Sequence, residues 1–143
     1  MICTFFGHRD TPDTVKSLVR DTIINLIENE DVSEFYVGYN GNFDIIVFNQ
    51  LRQLSEKYPI KYSVVLTNIP VAGKYSPAVI DCSLLPDGIE LVHPRLAICY
   101  RNKWMLDHSQ FVVTYVSRSF GGAARYRSLS LKEGKNVIDL YSK

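Results

Sequence analysis

The sequence predicts one α/β domain, a three-layer α/β/α sandwich built on a mainly parallel, five-stranded sheet. The chain has 143 residues, close to the usual size of one domain, and 46% of them are hydrophobic, enough for one core. Short apolar runs typical of buried strands alternate along the chain with segments of helical apolar periodicity. Alternation of this kind favours a parallel sheet with helices on both faces.

The elements follow from runs, turns and caps taken in chain order. The predicted strands are residues 2–6, 34–37, 61–66, 111–116 and 136–140. The predicted helices run from 12 to 29, from 43 or 44 to 58, from 94 to 108 and from 123 to 132. In the first helix, we expect Thr11 or Asp10 to be the N-cap, because Pro12 suits the first helical position.

Residues 67–93 do not fit this alternation. They are too long for an ordinary connection between a strand and a helix, and too apolar for a disordered linker. We expect an ordered excursion within a single domain of residues 1–143, or a lid over the site. Its apolar side chains also suggest that the chain forms a homo-oligomer.

The strand order 3-2-1-4-5 completes a Rossmann-like fold. In this order the direction of winding reverses between the first strand and the fourth. Ligands of open α/β sheets bind beyond the carboxyl ends of the strands at such a point. The loops 7–11 and 117–122 should meet there, with the turn 38–44 beside them.

The first loop carries Gly7, His8 and Arg9. Glycine allows a close backbone approach, and we expect His8 and Arg9 to add positive charge beside a helix N-terminus. Arg9 could hold a phosphate or carboxylate through two donors. The alternative is a capped turn in which Arg9 pairs with Asp10 or Asp13.

The turn after the second strand carries Gly38, Asn40, Gly41 and Asp44. Two glycines three residues apart suit backbone contact with a ligand, and Asp44 could accept a hydrogen bond from a ribose hydroxyl. The alternative is a tight turn with Asn42 as the N-cap of the next helix.

The loop after the fourth strand is the third candidate. A Gly-Gly pair opens a helix there, so a phosphate could approach the helix N-terminus, with serine and arginine side chains nearby. The alternative is a left-handed turn before a helix. The candidate ligand contacts of this loop are Ser117, Gly121, Gly122 and Ala123.

Arg101 and Asn102 are unusual polar residues beside Trp104, which we assign to the core. On spacing alone, a solvated helix face is the better interpretation of this pair, and binding is the alternative.

Several function classes are disfavoured. The net charge of +1 argues against a dedicated nucleic-acid binder. We find no signal peptide, no membrane segment and no CxxC among three cysteines, so we expect a cytoplasmic protein without disulfides. No metal-ligand spacing occurs, and we expect neither a metal nor a cofactor.

Four segments together resemble a known group. They are TFFGHRD (4–10), VGYNGNFD (37–44), RNKWMLDHSQFVVTYV (101–116) and FGGAAR (120–125) followed by EGKNVIDL (133–140). They resemble the YpsA-like branch of the SLOG superfamily, which also holds the DprA/Smf proteins and the Lonely guy nucleotide hydrolases. The resemblance covers residues 2–66 and 94–140. It implies a Rossmann-like fold, a nucleotide-related ligand and a binding role for Arg101 and Asn102.

One departure affects the expected chemistry. Lonely guy hydrolases carry PGGxGTxxE, and Ser128 stands where that glutamate would be. A hydroxyl at its ordinary pKa cannot replace a carboxylate. We therefore expect a sensor or binding protein for a nucleotide or nucleotide-derived phosphate. The alternative is a nucleotide-processing enzyme, an N-glycosidic hydrolase or a deoxyribosyltransferase-like protein, with Asp44 or Asp107 as the catalytic carboxylate.

Overall fold

The structure, a computed structural model, describes residues 1–71 and 73–142 and contains one six-stranded sheet. Its strands are β1 (Ile2–Gly7), β2 (Glu34–Val37), β3 (Lys61–Val65), β4 (Ser83–Leu84), β5 (Phe111–Tyr115) and β6 (Asn136–Asp139). All neighbours pair in parallel, in the order β4-β3-β2-β1-β5-β6. The predicted parallel Rossmann-like sheet is confirmed, and the predicted order corresponds to β3-β2-β1-β5-β6.

The sheet has six strands rather than the predicted five. β4 lies within the 67–93 segment and extends the sheet beyond β3. It pairs over two residues, through Val64 N–H to the Cys82 carbonyl (3.0 Å) and Leu66 N–H to the Leu84 carbonyl (2.9 Å). A strand of two residues is too short to show a sequence period. Its pairing depends on the neighbouring edge of the sheet rather than on its own sequence.

Helices cover both faces of the sheet. They are α1 (Lys16–Asn29), α2 (Asn42–Leu54), α3 (Pro77–Asp81), α4 (Ala97–Asp107) and α5 (Gly122–Lys132). Short 3₁₀ turns occupy Asp13–Val15, Ile89–Leu91, Pro94–Leu96 and Leu140–Ser142. None of the helices in the described ranges is both long enough and apolar enough to span a membrane.

Two apolar clusters lie on the two sides of the sheet. The larger contains buried residues of α1 and α2, such as Ile23 and Leu51, packed against Phe35. The smaller contains Met105 and Tyr126 of α4 and α5. Such burial is the main stabilising contribution to a domain of this size.

Trp104 does not fill the core as we expected. It is half-buried, and its ring stacks on His108 with 4.1 Å between the ring centroids. Met105 and Leu106, which follow it on α4, are buried instead. Successive helical residues lie about 100° apart, so the helix buries its next two positions and leaves the tryptophan at the margin.

The start of the first helix also differs from the prediction. A 3₁₀ turn, Asp13–Val15, precedes α1, and neither Thr11 nor Asp10 caps it. The buried Thr11 hydroxyl instead donates to the His8 carbonyl at 2.6 Å. The hydroxyl is used inside the loop, which rigidifies the turn rather than the helix end.

Candidate functional site

A cavity of about 330 Å³ opens at the carboxyl end of the sheet, where β1 and β5 lie side by side and the winding reverses. The predicted ligand-binding residues that line it are Gly7, His8, Arg9, Gly38, Asn40, Gly41, Asp44, Arg101, Asn102, Gly121, Gly122 and Ala123. Ser117 does not line it. Five further residues line it that are not among the candidate ligand contacts: Phe5, Phe6, Ile98, Met105 and Arg118, of which Arg118 is one of the arginines noted beside the third loop.

The first and second loops are packed against each other. A Cβ on Gly7 would lie 2.2 Å from Cγ of Phe43, and one on Gly41 would lie 2.5 Å from Cα of Arg9. The Asn42 N–H donates to the Arg9 carbonyl at 2.9 Å. Gly7 and Gly41 therefore permit a close approach between two parts of the chain.

Asn42 is the first residue of α2 rather than its N-cap, which is Gly41. Its side-chain N–H₂ donates to the Thr11 carbonyl at 2.6 Å and to Asp13 Oδ1 at 2.9 Å. This side chain joins the two loops. The first turn of α2 receives no side-chain cap hydrogen bond.

His8 is buried, with 5% of its surface exposed, and its Nε2 accepts a hydrogen bond from the Ser117 N–H at 3.1 Å. Burial, and then the positive charge of Arg118, lower its pKa below the ordinary 6.5. His8 is thus a neutral acceptor at pH 7, which corrects our expectation that it adds positive charge. It links the first loop to the loop before α5.

Arg9 is exposed at the cavity rim, and neither expected partner holds it. Asp10 instead pairs with Arg118, whose two terminal nitrogens lie 3.0 and 3.1 Å from its carboxylate oxygens. Among the described residues, no ion pair joins Arg9 to Asp10 or Asp13. The interpretation of this loop as a turn closed by an Arg9 ion pair is wrong.

Arg101 is buried, with 3% of its surface exposed, so the interpretation that it lies on a solvated helix face is wrong. Its guanidinium donates to the Val65 carbonyl (3.1 Å), to Asn40 Oδ1 (2.6 Å) and to Asn102 Oδ1 (2.9 Å). A guanidinium has five N–H donors, so two remain beyond these three hydrogen bonds.

Gly38 makes room for this guanidinium. A Cβ at Gly38 would lie 3.0 Å from Cζ of Arg101. Burial lowers the pKa of Arg101 below its ordinary value, and the nearby Asp44 partly opposes that effect. The side chain remains a cation, because a guanidinium does not lose its proton in proteins.

Asp44 is half-buried in α2 and faces the cavity. Its Oδ2 accepts from the Asn40 N–H at 2.9 Å. Burial raises the pKa of this carboxyl, and the Asn40 hydrogen bond, then Arg101 and Arg9, oppose the rise. Asp107, the other candidate carboxylate, pairs with Lys103 on the exposed side of α4 and does not line the cavity.

The N-terminus of α5 forms the open side of the cavity. A Cβ added to Gly121 or Gly122 would meet no atom within 4 Å. Gly121 has φ of 95°, a conformation that favours glycine. The first N–H groups of the helix have no partner within the helix and attract an anion. Ser128, at the hydrolase glutamate position, is exposed and does not line the cavity.

No described residue of 67–93 lines this cavity. The segment holds α3 and β4, and its role as a lid stays a prediction. In the described parts of the chain, no three His, Cys, Asp or Glu side chains converge as metal ligands would.

The fold has a counterpart among solved structures. The X-ray structure of DNA processing protein A (DprA) from Streptococcus pneumoniae matches this chain with a TM-score of 0.72 at 16% sequence identity. The match covers 94% of this chain and 48% of that chain, so this chain spans about half the length of that protein. No protein-family model and no curated protein matches.

This likeness supports a DprA-like Rossmann fold for the chain. At such low identity it shows the fold alone, because one fold hosts many functions. The YpsA-like branch stays a prediction.

Proposed function

We propose that this chain binds a nucleotide or nucleotide-derived phosphate in the cavity at the carboxyl edge of the sheet, as a sensor or binding protein. The observation that carries the proposal is Arg101, a buried cation at the wall of the cavity. No carboxylate of the described residues lies within ion-pair distance of it. A buried charge is costly unless it is paired, and an anionic ligand would pair it.

The charges around the cavity fit a ligand with one anionic end. Arg9 and the open α5 N-terminus line the same cavity, so a phosphate there could receive backbone N–H groups and the Arg9 guanidinium. Asp44 and Asn40 can hydrogen-bond the hydroxyls of a ribose. A volume of about 330 Å³ lies near the lower end of the usual range for small-molecule sites.

Thermal unfolding tests this proposal against nucleoside monophosphates, cyclic nucleotides and ADP-ribose-derived nucleotides. A ligand at 100 times its dissociation constant stabilises the fold by about 2.7 kcal/mol. That should raise the melting temperature by roughly 6–10 °C. If no nucleotide shifts the transition, the binding proposal fails.

Arg101→Met is the variant that locates the site. We expect it to abolish the nucleotide-induced shift. Lys103→Met is the matched control, because Lys103 lies on the same helix but pairs with Asp107 and Glu133 away from the cavity. If Arg101→Met keeps the full shift, the ligand binds elsewhere.

A single-stranded DNA oligonucleotide belongs in the same screen, because the similar structure is named as a DNA-processing protein. With a net charge of +1, this chain has little general attraction for a polyanion. We expect the oligonucleotide to stabilise it less than a mononucleotide does. The opposite order would favour DNA.

The second candidate is the enzyme, and the position of Asp44 favours it. Asp44 is a carboxylate that lines the cavity, and an N-glycosidic hydrolase or a deoxyribosyltransferase-like protein needs a carboxylate beside its substrate. Chromatography of nucleoside monophosphates incubated with the chain tests for free base. Release that Asp44→Asn removes would establish the enzyme, and binding without release would favour the sensor.

Self-association is a separate proposal. Large apolar side chains are exposed in or beside the 67–93 segment, among them Ile69 (74%) and Leu91 (86%). An interface between copies of the chain would bury them, and contiguous apolar surface marks such interfaces. Light scattering coupled to size exclusion would give the mass, and a monomer at all concentrations would remove the proposal. The three free cysteines agree with a reducing compartment, for which we propose the cytoplasm.

A further inference from the structure

We propose that His8 is a proton-controlled anchor of the loop that forms the anion end of the cavity. When His8 is neutral it holds the loop, and when it is protonated it releases the loop and weakens ligand binding. The binding part of this inference rests on the proposed function. The anchor itself does not.

Three successive residues of the loop after β5 are held by acceptors from elsewhere in the chain. The Val116 N–H donates to Asp139 Oδ1 at 3.3 Å, and the Ser117 N–H donates to His8 Nε2 at 3.1 Å. The Arg118 guanidinium donates to both oxygens of Asp10. The anchored residues lead into Gly121 and Gly122, so they set the position of the α5 N-terminus.

The middle anchor depends on protonation. A neutral imidazole offers one nitrogen as an acceptor, whereas an imidazolium carries a proton on both and can only donate. Protonation of His8 would turn an N–H toward the Ser117 N–H. Because His8 is only 5% exposed, water cannot readily replace the lost hydrogen bond. The imidazole or the loop must then move.

Charged groups from three elements face His8. Asp10 follows it in the first loop, Arg118 lies in the loop before α5, and Asp139 ends β6. Burial and Arg118 lower the pKa of His8, and the two carboxylates raise it, with a net decrease from 6.5. His8 is therefore neutral at pH 7. The hydrogen bond from the Ser117 N–H to His8 is lost as the pH falls through this lowered pKa.

Calorimetric titration with adenosine 5′-monophosphate tests the link to binding. One pH unit below the His8 pKa, about one molecule in eleven keeps His8 neutral, so affinity should fall about tenfold. The probe phosphate also titrates near pH 6. The His8→Gln variant supplies the reference, because glutamine offers an acceptor oxygen that does not titrate.

Between pH 7 and one pH unit below the His8 pKa, we expect the nucleotide affinity of the wild-type protein to fall about tenfold more than that of His8→Gln. His108→Gln is the matched control, because His108 is exposed on the far end of α4, and it should show the wild-type pH dependence. If wild type and His8→Gln show the same pH dependence, the proposal is overturned.

Nitrogen-15 NMR of the unliganded protein tests the anchor without any ligand. We expect His8 Nε2 to be unprotonated at pH 7 and the Ser117 amide resonance to follow the His8 titration. The proposal is overturned, even if the nucleotide binds, if Nε2 is protonated at pH 7 or if the Ser117 amide resonance does not change as His8 titrates. If adenosine 5′-monophosphate fails to bind at any pH while both NMR results hold, the anchor stands and the assigned probe is wrong.

Discussion

The two sides of the cavity use glycine for different purposes. On one side, Gly7 and Gly41 make room for protein atoms, since an added Cβ would lie within 2.5 Å of Phe43 or Arg9. On the other side, Gly121 and Gly122 face open space. The first pair lets two loops pack together, and the second leaves a helix N-terminus uncovered.

This difference shows which half of the glycine pattern points to a ligand. A glycine that a neighbouring side chain or backbone requires is explained by the fold. One that borders a cavity with nothing nearby is available for contact with a bound group. The packed side should therefore control stability, and the open side should control affinity.

The largest expected effect separates the two sides by stability. Gly7→Ala should lower the free energy of unfolding by about 3 kcal/mol, because the new Cβ overlaps Cβ and Cγ of Phe43. Gly122→Ala, the matched control, should change it by less than about 0.5 kcal/mol. Urea denaturation gives both values. Equal losses in the two variants would contradict the contrast between the sides.

The next largest effect separates the two sides of the cavity by their contribution to nucleotide affinity. Gly122→Val should weaken nucleotide binding at least tenfold, or about 1.4 kcal/mol, because its side chain fills the space beside the α5 N-terminus. The control is Ser128→Val, which puts the same side chain at an exposed position of the same helix that does not line the cavity. Calorimetric titration of both variants decides it. Unchanged affinity in Gly122→Val would place the phosphate elsewhere.

The smallest effect concerns the ion pair that crosses the mouth from one side to the other. The Arg118 guanidinium holds the pKa of Asp10 below its usual 3.8. The pair therefore stabilises the fold above the unfolded pKa of Asp10 and is lost as the pH falls through the lower folded value. Because both groups are at the surface, the contribution to stability is small and screened by salt.

Arg118→Gln should raise the Asp10 pKa back toward its ordinary value, as measured by NMR titration of the carboxyl carbon. The control is Arg125→Gln, which also removes one positive charge. Arg125 lies in α5, and the ion pair of Asp10 is with Arg118 instead. An Asp10 pKa that does not move in Arg118→Gln would show that the pair does not persist in solution.

Much of the scaffold followed from local patterns. Apolar runs and helical periodicity located β1, β2, α1 and α2 to within a few residues, because burial of one face imposes its period on the sequence. The meeting of three loops also followed, since parallel strands carry their carboxyl ends to one edge. Most candidate ligand contacts line one cavity for that reason.

What the tertiary structure alone decided lies in contacts between distant residues. Arg101 is buried because Val65 and Asn40, 36 and 61 residues away, accept its hydrogen bonds. His8 is an acceptor because Ser117, 109 residues away, points an N–H at it. The sequence by itself determined the fold class and the edge of the sheet at which the candidate residues meet. The roles of these two side chains depend on neighbours that only the folded sheet brings together, so no local pattern could encode them.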